Sequence, residues 1–152
     1  MVHSKFFKVP EIQVTYNPKF KAVERPKIIT SKDAYQIFIQ EWDLGKIAYQ
    51  EELKILLLNT KSRVLGIVHI SSGSSNGIIA DPRIIFSAAL KACATGVILC
   101  HCHPSGELVP SMEDRCITDK LKTGGRFLDI NIIDHLIISR DEYYSFSDQG
   151  IL

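Results

Sequence analysis

Apolar positions in this chain gather into short dense runs separated by segments with helical spacing. Leu53–Leu58 is the first such run, and a turn at Asn59–Ser62 leads into a second at Val64–Ile70, so the pair reads as a β-hairpin. Val97–Cys102 and Ile130–Ser139 are two further strands, and Tyr143–Ser147 is a short final one. Three helices are expected between them. Ser31 caps the first, about 32–41, with Ala34, Ile37 and Phe38 on one side, Asp33 in the first turn and Trp42 packed at its end. Asp81 followed by Pro82 starts the second, which buries Ile84, Ile85, Ala88 and Ala92 and is ended near Thr95 by Gly96. Ser111 caps the third, from Met112 to about Thr123, where Gly124-Gly125 breaks it.

Between these elements, 43–52 reads as a polar connection or a short helix. Ser71–Gly77 is a Ser/Gly loop whose glycines fit no phosphate-binding fingerprint. Residues 1–27 are expected to form an extended arm with one edge strand near Ile12–Tyr16, because Pro10, Pro18 and Pro26 interrupt any long element. Residues 28–152 then form one α/β domain built on a mixed sheet of five or six strands with helices on its faces.

Charge and composition narrow the function. Residues 1–30 carry six Lys or Arg against two acids, yet the whole chain has a net charge of +1, which gives no support to a nucleic-acid or anionic-membrane partner. No apolar run approaches a membrane span, and the first residues lack the apolar stretch of a signal peptide, so the expected location is cytoplasmic. The cysteines at 93, 100, 102 and 116 form no Cys-x-x-Cys pair, and Cys100 and Cys102 read as buried, reduced thiols of a core strand.

The chemistry lies in 99–114, Leu-Cys-His-Cys-His-Pro-Ser-Gly-Glu-Leu-Val-Pro-Ser-Met-Glu-Asp. On a strand, His101 and His103 project to one face because side chains alternate with period 2. Ser111 then opens a helix whose first turn carries Asp114. Two imidazoles and a carboxylate, with a fourth position left to water, make the ligand set of a catalytic zinc. Ser111-x-x-Asp114 is also a capping-box pattern, in which the acid closes back on the helix start. Ser105 stands in no Gly-x-Ser-x-Gly elbow, so it is a turn residue beside Pro104 and Gly106.

His-x-His, seven residues, then Ser-x-x-Asp is similar to the JAMM (MPN+) signature of zinc metallopeptidases, and His-x-His-Pro-Ser-Gly-x-x-x-Pro-Ser-x-x-Asp resembles its RadC branch. The resemblance covers about residues 28–152. It implies a JAB/MPN domain with a cytidine-deaminase-like three-layer fold, one Zn2+ per chain on His101, His103 and Asp114, and a peptide or protein substrate. It implies a general base at the head of the first hairpin strand, where Glu51 and the adjacent Glu52 both stand, with Glu51 the better match. It gives Ser111 the role of steadying an oxyanion, and a cap alone is the simpler alternative.

RadC-like sequences have Asn between the two histidines where this chain has Cys102. The helix-hairpin-helix segment that precedes the domain in full-length RadC proteins has no counterpart in these 152 residues. His69 and His135 are expected as partly buried structural histidines, with a role behind the metal open to His135. The leading expectation is a zinc-dependent hydrolase of peptide or isopeptide bonds. The alternative is a DNA-repair or mobile-element binding module. A zinc deaminase is excluded by the absence of His-x-Glu and Pro-Cys-x-x-Cys.

Overall fold

The computed structural model describes residues 10, 11, 13, 15–19, 21–73 and 80–152. The elements in chain order are α1 (Ser31–Gln40), β1 (Glu52–Leu58), β2 (Val64–Ser72), α2 (Pro82–Lys91), β3 (Gly96–Cys102), α3 (Met112–Phe127), β4 (Asn131–Ile138) and β5 (Tyr143–Ser145). The five strands form one mixed sheet in the order β2-β1-β3-β4-β5, parallel only between β3 and β4. That architecture, an α/β domain with helices on both faces, is the one expected of a JAB domain.

Alternation along β1 and β3 divides the core into two layers. Leu53, Ile55, Leu57, Val97 and Leu99 pack with Ile85, Phe86 and Ala89 of α2 and Leu121 of α3. Leu56, Leu58, Ile98, Cys100 and Cys102 pack on the other face with Ala34 and Phe38 of α1 and with Trp42. Cys100 and Cys102 are therefore buried free thiols on the α1 face, while Cys93 and Cys116 are exposed.

Several boundaries differ from expectation. Thr30, not Ser31, caps α1: its hydroxyl accepts from Asp33 N, while Asp33 accepts from Thr30 N at 2.8 Å and Ile29 N at 2.9 Å. Ser31 instead turns its hydroxyl to Tyr143 and Asp148. α2 ends at Lys91, well before Gly96. Cys93 takes the left-handed conformation (φ 53°), and Ala94 N closes on Ala89 O at 2.9 Å in a Schellman-like stop, so Gly96 begins β3. Ile84 is exposed, and Phe86 takes the buried position on that helix.

The helix α3 runs through Gly124-Gly125 to Phe127. A Cβ on Gly125 would collide with the Ile130 carbonyl oxygen, and one on Gly124 would stand 3.1 Å from the Phe86 ring. These glycines serve close approach within a helix, not its end. β2 extends to Ser72, so Ser71 and Ser72 belong to a strand and not to the expected loop, whose remainder at 74–77 lies outside the described residues. Residues 12 and 14 of the expected arm strand also lie outside them, and 13, 15 and 16 have no strand pairing. Residues 43–49 form turns. Among the described residues, no helix is long and apolar enough to cross a membrane.

Candidate metal centre

β3 carries the first histidine to the α3 face of the sheet. His101 follows Val97 and Leu99 by period 2 and is 2% exposed. His103 is the first residue past the strand, and its ring still lies beside that of His101, with the two Nε2 atoms 2.9 Å apart. The turn at Pro104–Gly106 explains this placement. Gly106 closes on His103 O at 2.9 Å with a left-handed φ of 78°, and the chain returns so that His103 Nδ1 donates to the Glu107 carbonyl at 2.7 Å.

Asp114 arrives from the first turn of α3. Its Oδ1 is 3.1 Å from His101 Nε2 and its Oδ2 3.6 Å from His103 Nε2. It is also the N3 acid of a capping box. Ser111 Oγ accepts from Asp114 N at 3.1 Å, while Asp114 Oδ2 accepts from Ser111 N and Ser111 Oγ, both at 2.7 Å. Capping and facing the imidazoles are thus not exclusive: the carboxylate closes the helix with Oδ2 while its Oδ1 lies beside His101 Nε2. The hydroxyl proton of Ser111 is held by Asp114 in this arrangement.

Glu51 completes the cluster. It stands before Leu53 by the same alternation that puts Leu53, Ile55 and Leu57 on the α3 face, and Leu53 pairs with His101 across the sheet. Ligand atoms of Glu51, His101 and His103 all lie within 4.8 Å of one another, a group that could hold a metal ion. Glu52 points to the opposite face, where its carboxylate is 3.6 Å from Lys54 Nζ. Lys54 in turn donates to Glu41 O at 2.7 Å and lies 4.4 Å from the centre of the Trp42 ring.

Electrostatics separate the two carboxylates of the cluster. Burial pushes Glu51 above the ordinary glutamate value, against the opposing pull of His101 and His103. Burial acts in the same sense on Asp114, but the hydrogen bonds it accepts from Ser111 and, where their Nε2 atoms carry a proton, from His101 and His103 outweigh it and hold its carboxyl far below the usual range. His103 is raised, first by its hydrogen bond with Asp114 and against the effect of burial.

The donor set fits a small divalent cation. Ligand atoms about 2.0–2.1 Å from a tetrahedral zinc lie about 3.3 Å from one another. The spacings of 2.9, 3.1 and 3.6 Å among His101, His103 and Asp114 bracket that value. With its Nδ1 proton committed to Glu107, neutral His103 has only a lone pair on Nε2 to direct at its neighbours. Imidazole lone pairs facing one another and a carboxylate call for a positive charge between them.

Two residues stand behind the site: His135, for which the sequence leaves such a role open, and Thr118, which the sequence reading does not single out. His135 of β4 is buried with its Nε2 2.8 Å from His101 Nδ1, so it backs a site residue and is more than packing. Thr118 stands one helical turn beyond Asp114, within hydrogen-bond distance of both Asp114 O and His135 Nδ1. The i, i+4 spacing of Asp114 and Thr118 was a legible signal. The register that brings His135 beside β3 was not. His69, in contrast, is exposed and bonds Ser72 at 3.0 Å, which removes it from the core.

A family model described as a RadC-like JAB domain matches residues 28–151. A UPF0758 protein of Flavobacterium johnsoniae is 47% identical over 125 residues, 82% of this chain and 53% of that protein. Relatives of the same name occur in Clostridium kluyveri, 42% identical over 126 residues (83% of this chain, 54% of the relative), and in Thermotoga maritima, 43% identical over 103 residues (68% and 46%). The chain spans about half the length of the curated relatives it matches.

Proposed function

Because the chain belongs to the RadC-like JAB domain family, we propose that it is a zinc-dependent hydrolase of peptide or isopeptide bonds. One observation carries this reading. Two carboxylates, Glu51 and Asp114, converge on the facing Nε2 atoms of His101 and His103, so a metal-ligand set and a separate acid–base group lie side by side. Asp114, held anionic, is suited to be a ligand with His101 and His103. Glu51, raised by burial, is suited to receive a proton and give it up again.

Bound there, zinc supplies a Lewis acid that lowers the pKa of water to about 7 and polarises a carbonyl. Glu51 takes a proton from the attacking water as its oxygen bonds to the carbonyl carbon, then delivers it to the leaving nitrogen as the C–N bond breaks. Ser111 donates a hydrogen bond from its hydroxyl to the developing oxyanion, exchanging its present acceptor, Asp114 Oδ2, for the substrate oxygen. Val109 and Met112, exposed on the segment that flanks Ser111, offer apolar contact to side chains of an extended peptide.

The test is hydrolysis of a panel of peptide and isopeptide substrates by zinc-loaded protein beside Glu51→Gln. Cleavage that depends on both zinc and Glu51 supports the reading. Cleavage that survives in Glu51→Gln removes Glu51 as base, and loaded protein inert on every substrate counts against the hydrolase.

A further inference from the structure

The contacts behind His101 form a chain in which every proton can be placed. Thr118 Oγ1 lies 2.6 Å from Asp114 O and 2.7 Å from His135 Nδ1. A carbonyl oxygen only accepts, so the hydroxyl proton of Thr118 points at Asp114 O. The hydroxyl oxygen must then accept from His135, whose proton is on Nδ1. The His135 ring is 2% exposed and its nitrogens face a hydroxyl and an imidazole, so it stays neutral and its Nε2 is bare. His101 Nδ1, 2.8 Å away, must therefore be the donor of that contact. The only lone pair left to neutral His101 is on Nε2, which faces His103 and Asp114.

The position of His135 is itself built by the sheet. In the parallel pairing of β3 with β4, Val97 is opposite Ile132 but Ile98 is opposite Asp134, so Ile133 is an extra residue in β4. Without that bulge, alternation from Ile132, which packs on the α3 face, would send His135 to the α1 face. With it, His135 pairs with Leu99 on the face that carries His101. Asp134, turned to the other side, accepts from the backbone N–H groups of His135 (2.7 Å) and Ser147 (3.0 Å) and from Ser145 Oγ (2.6 Å). Phe146 stacks on the His135 ring, centroids 4.7 Å apart and planes at 19°.

We propose that Thr118 and His135 are positioning residues, a relay from the backbone of Asp114 to the ring of His101 that fixes His101 as the Nδ1–H tautomer with Nε2 aimed at the metal, a role that rests on the metal-site reading above. The relay joins two ligands on different elements, so the helix cap and the strand histidine are set together. Partners of this kind typically change metal affinity about 10- to 100-fold when lost.

The experiment is long-range 1H–15N correlation of ring-labelled histidines in the metal-free full chain at mildly alkaline pH, beside zinc affinity by competition with a chromophoric chelator. Wild type is expected to show His101 and His135 both protonated on Nδ1. Thr118→Val is expected to lose the pure Nδ1–H state of His135 and to weaken zinc binding by about 10- to 100-fold, with Thr118→Ser restoring both. A folded Thr118→Val with unchanged tautomers and affinity overturns the relay, as does a wild-type His101 protonated on Nε2. The wild-type tautomers decide the matter even where Thr118→Val does not fold. Wild type that takes up no zinc, yet shows both Nδ1–H rings, defeats the metal reading and upholds the relay.

Discussion

Glu51 and Glu52 are neighbours in the chain and lie on opposite faces of the sheet. Glu51 stands with His101 and His103, whereas Glu52 is 3.6 Å from Lys54 Nζ on the α1 side. Their amide variants should behave differently. Glu51→Gln is expected to lower kcat by about 10²- to 10⁴-fold, the usual contribution of a general base, with zinc content retained. Glu52→Gln is expected to leave kcat near wild type and to act on stability alone. Steady-state kinetics and elemental analysis of both variants make the comparison, and equal loss of kcat in the two would refute it.

Metal stoichiometry is the next expectation. Purified or reconstituted protein should hold about one zinc per chain, and His103→Ala should hold none. Zinc at 100 times its Kd should stabilise the wild type by about 2.7 kcal/mol, seen as a rise in Tm that the variant lacks. Elemental analysis beside thermal unfolding checks this, and an equal Tm rise in His103→Ala would place the ion elsewhere.

Ser111 has two duties that substitution can separate. Glycine at a helix N-cap costs only a few tenths of a kcal/mol relative to serine, whereas alanine costs about 1 kcal/mol. Ser111→Gly should therefore unfold close to wild type while kcat falls by about 10²- to 10³-fold, the effect of deleting one oxyanion donor. Full activity in Ser111→Gly would leave the hydroxyl with its cap alone.

Glycines inside α3 give a purely structural test. Gly125→Ala would drive a Cβ into the Ile130 carbonyl, a backbone atom that cannot swing away, and should cost about 1–3 kcal/mol. At Gly124 the nearest obstacle is the Phe86 ring at 3.1 Å, a side chain able to give, so Gly124→Ala should cost less. Denaturant unfolding of the pair reads the difference, and the reverse order would contradict this packing.

Acid should act through His135. Burial holds its folded pKa well below the ordinary value. As pH falls through about 6.5, the unfolded chain binds a proton that the folded chain refuses, so this contribution is whole above that pH and declines below it. Metal-free wild type should therefore lose stability toward acid more steeply than His135→Gln, and parallel curves would show that His135 takes its proton in the folded state.

Local pattern was sufficient wherever one stretch of chain carries its own instructions. The apolar runs locate all five strands, Asp81-Pro82 and Ser111 mark two helix starts, and the spacing of His101, His103 and Asp114 by itself suggests a metal-ligand set. Where two local signals competed, sequence was ambiguous. Thr30 and Ser31 both suit a cap, and only the reach of Asp33 back to Thr30 decides between them. Gly124-Gly125 looks like a helix stop because glycine is a poor helix former, yet both lie inside α3, where the close approach of Ile130 and Phe86 leaves little room for a Cβ. What tertiary structure alone decided is set by pairing between distant segments. Strand register faces Glu51 to the histidines and Glu52 away from them, and the bulge at Ile133 turns His135 toward His101. A strand's alternation determines which residues share a face, but not which face meets which neighbour; that depends on backbone hydrogen bonds made across the sheet.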